Sequence, residues 1–428
     1  MWRPILDGPL RAQAFQVIDE IAAAIKALTG HGPVKNRRRQ KAKPVEQQTT
    51  DASLAGGQAG LAVFYAYLDQ ARTGHEDKQT ALRFVDQAMD AAASVPMDFS
   101  LYGGVTGIAW TIAHLNEWLV QVDDDATEVA DQWLRKVLGQ RPWRVDYDLI
   151  SGLTGVGVYA LERLPAAWAV QCLAQVVDRL GEIARRTPDG LSWFTPAELL
   201  PESQRESAPN GYYNLGMAHG VAGVIAFLAK VHALDERHVR DLMKLKRKVR
   251  RLLEDAVAWL LAQRSSTTAD YIFPNWVGPS VTPGRSRLAW CYGDLGIAIA
   301  LFAAGNSLNN ASWKRQASRL AKHAAGRTFE QSGVKDCGLC HGAAGVAHLF
   351  NHMFQKSGDV RMKSAARTWF ERAFEMRRPG KGVAGFAAFR LDHWSNEVGI
   401  LEGSAGIALA FLAATTPVEP QWDRMLLL

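Results

Sequence analysis

Residues 337–346 read CGLCHGAAGV, and the five residues that close this stretch, GAAGV from Gly342, decide the fold because the chain repeats their pattern seven times. GxxG followed by Leu, Ile or Val begins at Gly57, Gly104, Gly152, Gly220, Gly293, Gly342 and Gly403. The starts lie 47, 48, 68, 73, 49 and 61 residues apart, so the unit is about 47 residues, with insertions in the third, fourth and sixth intervals. A period of that size fits a pair of helices. After Gly107, the residues Ile108, Ile112, Leu115 and Leu119 fall on one helical stripe, and the polar segment near Ala126 to Leu138 suits a more exposed partner. Each unit therefore reads as glycine turn, inner helix, outer helix.

Glycine at both ends of the block suits turns that crowd together, and it supplies positive φ where a helix must start sharply. An open array of such hairpins normally carries atypical capping repeats, whereas the first and last blocks here are as regular as the others. The expected fold class is all-α: an α/α toroid (barrel) of seven inner and seven outer helices over residues 51–428. Residues 1–50 are expected to form an N-terminal helix and a basic linker. The inserted segments Thr187–Asn214, Ser265–Arg287 and about Pro379 to Gly399 all precede glycine turns, so they are expected as loops at one end of the ring. Their length and aromatic content favour a substrate-facing role.

A repeat delivers equivalent slots to equivalent places, so unusual residues in those slots can converge. Two residues before the first glycine, the fifth and sixth blocks carry Cys291 and Cys340; one residue before it, the fourth and sixth carry His219 and His341. Zinc takes thiolate and imidazole ligands, and a catalytic zinc keeps one position open beside three protein ligands. Cys291, Cys340 and His341 make such a set. Buried cysteines acting as small apolar side chains are the plain alternative. Cys337 to His341 also spell CxxCH, the attachment signature of c-type haem, but that reading leaves Cys291 without a role and calls for export. Cys337 and Cys340 as a redox pair is a further alternative. Cys172 reads as a core residue.

His219 has no cysteine beside it and reads either as a non-ligand acid or base, or as a structural histidine. Asp148, four residues before Gly152, could orient that imidazole or cap a turn. Arg287, four residues before Cys291, could stabilise a developing oxyanion as a buried guanidinium, or stand exposed in solvent.

The 428 residues are 48% hydrophobic and include 14 tryptophans, which fits a large globular core and excludes a disordered chain. Four cysteines are too few for a disulfide scaffold of this length, which favours a reducing compartment. The segment Pro9–Gly30 is interrupted by Arg11, Asp19, Glu20 and Lys26, so it reads as an amphipathic helix rather than a secretory signal, and no apolar run is long enough to span a bilayer. The net charge of +6 equals the six basic residues Lys35, Arg37, Arg38, Arg39, Lys41 and Lys43, a run most simply read as a solvated linker. No nucleic-acid partner is expected, and a cytoplasmic location is.

The stretches RLAWCYGDLGIA, CGLCHGAAGVAHL, NLGMAHGVAGV and DLISGLTGVGVYALERL resemble the lanthionine synthetase C-like (LanC) cyclase family, and the likeness runs over all seven blocks. The resemblance implies an α/α toroid holding one zinc through Cys291, Cys340 and His341, with His219 as acid or base, Asp148 beside it, and Arg287 before the WCYG motif. The implied chemistry is Michael addition of a peptide cysteine thiol to dehydroalanine or dehydrobutyrine, giving lanthionine or methyllanthionine rings in a lanthipeptide (lantibiotic) precursor. The implied partners are the dehydrated precursor peptide, a separate dehydratase and a transporter, through which the protein could associate with a membrane. Two other readings use the same residues: addition of a free thiol such as glutathione to dehydrated residues in proteins, and a non-catalytic peptide-binding scaffold with structural zinc.

Overall fold

The computed structural model describes residues 2–30, 51–72, 76–120, 125–235, 242–265, 270–282, 284–390 and 392–428. The basic run Lys35 to Lys43 lies outside the described residues. Fourteen α-helices of ten or more residues alternate in role along the described chain. Seven start directly after the first glycine of a block, which serves as N-cap: α2 (Gln58–Ala71), α4 (Val105–Leu115), α6 (Leu153–Glu162), α8 (Val221–His232), α10 (Asp294–Ser307), α12 (Ala343–Ser357) and α14 (Ser404–Thr415). The others are α1 (Gly8–Thr29), α3 (Glu76–Ser94), α5 (Asp125–Gly139), α7 (Ala167–Ile183), α9 (Leu242–Ala262), α11 (Ala311–Ala325) and α13 (Val360–Glu375).

The two sets differ as their sequences require. Inner helices are buried nearly all round; every residue of α14 is buried, and so are Asp294 to Leu301 of α10. Apolar residues therefore surround these helices rather than forming the single stripe expected for α4. Outer helices are amphipathic: α11 buries only Ala317, Leu320, Ala321 and Ala324.

The described residues form two compact units. One comprises residues 1–98, 102–123 and 335–422. Within it α12, α14, α2 and α4 pack in that order, backed by α13, α1 and α3. Among the described residues, α1 is the helix that backs α14 as an outer helix does in the other blocks. Trp2 donates its Nε1–H to the Ala413 carbonyl at 2.6 Å, the Ile5 N–H bonds the Ala414 carbonyl at 2.8 Å, and Tyr65 Oη–H reaches the Ala22 carbonyl at 2.7 Å. Val17, Ile18, Ile21 and Ile25 of α1 are at most 1% exposed. The N-terminal helix is thus part of this unit's core.

The second unit comprises residues 99–101, 124–334 and 423–428. In it α6, α8 and α10 are consecutive neighbours, and α7, α9 and α11 cover them. The described parts of the insertions that precede its glycine turns carry short strands rather than open loops alone. Arg185–Thr187 (β1) pairs antiparallel with Gly190–Ser192 (β2). Phe194–Thr195 (β3), Tyr212–Asn214 (β4) and Trp276–Val277 (β5) make a three-stranded antiparallel sheet, with Phe194 opposite Tyr213 and Tyr213 opposite Val277. Leu200, Ala208, Tyr212 and Val281 pack beside it with Trp276 as a small satellite core. In the first unit, Ala388–Arg390 (β6) and His393–Ser395 (β7) form a hairpin.

Candidate active site and metal centre

The glycine blocks build the site by fixing the loop before each inner helix. In the first block the Gln58 N–H closes back on the Asp51 carbonyl at 2.7 Å, and the same bond recurs from Leu153 to Asp146, Ala343 to Asp336 and Ser404 to Glu397. The loop therefore passes directly over the first glycine: a Cβ on Gly220 would lie 2.3 Å from the Asn214 carbonyl oxygen. Close approach, more than backbone freedom, is what demands glycine. Gly293 is the exception, because its φ of +88 adds a conformational requirement to a contact of 2.1 Å with the Arg287 carbonyl oxygen.

Within each unit, main-chain hydrogen bonds then link slots two residues before the first glycine. In the first unit the Cys340 N–H donates to Leu401 at 2.8 Å, Leu401 to Ala55 at 3.0 Å, and Ala55 to Tyr102 at 3.0 Å. In the second, the Ala218 N–H donates to the Cys291 carbonyl at 3.3 Å, and Leu149, three residues before Gly152, donates to the Ala218 carbonyl at 3.1 Å. Within each unit, equivalent slots are thus held side by side.

Cys291, Cys340 and His341 each offer one ligand atom, and these atoms lie within 4.8 Å of one another. Among the described residues this is the one cluster of three or more His, Cys, Asp or Glu side chains so arranged. The two cysteines are 5% and 8% exposed, and the His341 side chain is 15% exposed. The donor set fits zinc: with Zn–S bonds of about 2.3 Å, two thiolates of a tetrahedron stand about 3.8 Å apart, within the spread of these atoms. Cys337 and Cys172 are free and buried, and burial pushes both thiols well above the usual cysteine range. No disulfide joins Cys337 to Cys340.

His219 and Asp148 meet: Nδ1 of the imidazole lies 2.5 Å from Asp148 Oδ2. Asp148 is held by the Ser151 N–H, which donates to its Oδ1 at 2.7 Å. Its side chain is 8% exposed, while that of His219 is 42% exposed and so open to an incoming molecule. Burial pulls the imidazole pKa down, but the charge and hydrogen bond of Asp148, with Cys291 and Asp146, outweigh it and hold the pKa above the ordinary histidine value. The imidazole is thereby biased toward its charged form.

Arg287 stands differently from the buried guanidinium considered above. Its side chain is exposed. What is fixed is its backbone: the Ser286 carbonyl accepts from Arg327 Nη2 at 2.7 Å, and the Leu288 N–H donates to Ser332 at 2.7 Å. The guanidinium thus reaches solvent from a segment whose neighbouring backbone groups are hydrogen-bonded.

Three residues near these groups were not singled out from the sequence. Asp146 has its carboxyl pushed up to about 6 by burial and by the neighbouring charge of Asp148, against the pull of His219. Tyr292 follows Cys291 directly, accepts from Asn214 Nδ2 at 3.2 Å, and meets the edge of Trp276, which stacks on Tyr212. Asp336 places Oδ2 3.6 Å from His341 Nε2. Asp146 and Asp336 share one visible signal, an acidic residue six before the first glycine, which also occurs at Asp51 and Asp98.

A family model described as lanthionine synthetase C-like protein matches residues 48–427, and the chain belongs to that family. Among curated relatives, nisin biosynthesis protein NisC of Lactococcus lactis subsp. lactis is 26% identical over 272 residues, covering 58% of this chain and 61% of that protein. The match to this relative therefore spans less than two thirds of its length. The solved structure of nisin cyclase superposes with a TM-score of 0.74 over 96% of both chains at 19% identity. The shared fold is the all-α toroid expected from the repeat. No helix among the described residues is long and apolar enough to cross a membrane.

Proposed function

We propose that this chain is a zinc-dependent lanthipeptide cyclase, which closes thioether rings by adding cysteine thiols of a dehydrated precursor peptide to its dehydroalanine and dehydrobutyrine residues. The observation that carries the reading is the Cys291, Cys340 and His341 cluster in a chain of this family. A zinc ion held by these three residues would keep an incoming thiol as thiolate near neutral pH.

The remaining roles fall to the chain's own groups. Carbon–sulfur bond formation at the β-carbon moves the alkene electrons into an enolate, and the enolate then takes a proton at the α-carbon. The thiol loses one proton and the α-carbon gains one, so no oxidant or reductant is required. His219, biased toward imidazolium by Asp148, is suited to hold and deliver that proton. Arg287, exposed on a fixed backbone, is suited to meet the enolate oxygen. A separate dehydratase would supply the substrate, and a transporter would take the product.

Incubating the purified chain with dehydrated precursor peptide tests the reading. Peptide thiols should vanish, by alkylation and mass analysis, without added thiol and without change in mass. Persistence of the thiols would contradict it, and mass gain only with added glutathione would assign the chain to free-thiol addition instead.

A further inference from the structure

The loop that carries Cys340 and His341 opens with Asp336, a carboxylate that is 2% exposed and six residues before Gly342. Asp51 occupies the same position before Gly57 and shows what this slot does by default. Its Oδ1 accepts the Ser53 N–H at 2.8 Å, and its carbonyl accepts the Gln58 N–H at 2.7 Å. Asp336 repeats both bonds: Oδ1 accepts the Gly338 N–H at 3.1 Å, and the carbonyl accepts the Ala343 N–H at 2.9 Å.

The second oxygen goes beyond that pattern. Oδ2 of Asp336 accepts the Phe389 N–H at 2.9 Å and lies 3.6 Å from Nε2 of His341. Phe389 belongs to the β6–β7 hairpin, where its ring meets the exposed Trp394 edge-on and Lys335 Nζ sits 4.3 Å from its centroid. One buried carboxylate is thus shared among the ligand loop, an inserted hairpin and the imidazole. A carboxylate facing one ring nitrogen favours the tautomer with its proton there, and so leaves the other nitrogen as the electron-pair donor.

We propose that Asp336 is a positioning residue of the metal centre, holding His341 with Nε2 protonated and Nδ1 turned to the metal, and tying the β6–β7 hairpin to that ligand. The proposal rests on the zinc reading above. It separates two jobs of one side chain: Oδ1 closes the loop as in other blocks, and Oδ2 serves the histidine.

Asp336→Asn retains an acceptor for the Gly338 N–H and almost the same volume, but removes the charge facing His341. Zinc affinity, measured by competition with a chromogenic chelator, should fall about 10- to 100-fold. Asp51→Asn, which alters only the loop-closing job, should leave it unchanged. In the zinc-loaded wild-type chain, long-range 15N–1H imidazole spectra should show His341 bound through Nδ1 and protonated at Nε2. Unaltered zinc affinity in folded Asp336→Asn, or ligation through Nε2, would overturn the proposal. A wild-type chain that takes up no zinc at all would instead overturn the zinc reading, and this inference with it.

Discussion

Gly293→Ala couples the repeat's geometry to the metal. Two penalties apply at this residue. Its φ of +88 and ψ of −175 lie where residues with a Cβ are strained by about 1–3 kcal/mol. A Cβ there would also sit 2.1 Å from the Arg287 carbonyl oxygen, so the loop and the helix start must separate by about 1 Å to restore ordinary contact. Cys291 lies two residues away, and a shift of that size is several times the tolerance of about 0.2 Å on a metal–ligand distance. Gly57→Ala is the matched control: its Cβ would lie 2.0 Å from the Asp51 carbonyl oxygen, with an ordinary φ of −112 and no candidate ligand in its slots. Both variants should lose thermal stability, but only Gly293→Ala should lose zinc, by metal analysis of folded protein, together with ring-forming activity. Full zinc content in folded Gly293→Ala would refute the claim that this turn positions a ligand.

Two further outcomes follow from the acid–base groups. Asp148→Asn removes the charge that raises the His219 pKa, so the limb of the rate profile that falls as pH rises should move to lower pH, with cyclisation reduced about 10²- to 10⁴-fold and zinc retained. Asp146 binds its proton more tightly in the folded chain, with a pKa near 6 against the ordinary 3.8, so its effect on stability worsens as pH rises through that window. Asp146→Asn should therefore raise the melting temperature at pH 7.5 and leave it nearly unchanged at pH 4; a loss of stability at pH 7.5 would refute this.

The parts of the fold written as local rules were legible in the sequence. A GxxG block marks the start of an inner helix because loop atoms occupy the space of a missing Cβ, a carbonyl oxygen at Gly57, Gly152, Gly220 and Gly293, a constraint only glycine satisfies. Cys291, Cys340 and His341 could be singled out because they stand in recurring slots of the same turn, and within each unit such turns are joined by main-chain hydrogen bonds. Features made by long-range contact were not. Nothing local in Gly8–Thr29 tells that it backs α14, nearly four hundred residues later, rather than standing apart. The strands Phe194–Thr195 and Trp276–Val277 are two residues each, too short for alternation to register. The exposure of Arg287 depends on the side-chain path, which the motif leaves open, and the second oxygen of Asp336 finds its partner in a hairpin more than fifty residues on.

Zinc content of the purified chain, beside Cys291→Ala and Cys340→Ala, tests the central claim most directly. One zinc per wild-type chain and its loss in both folded variants is the predicted result. Undiminished zinc in Cys291→Ala would contradict the account, because a metal indifferent to that thiol is not held by the three residues that the repeat brings together.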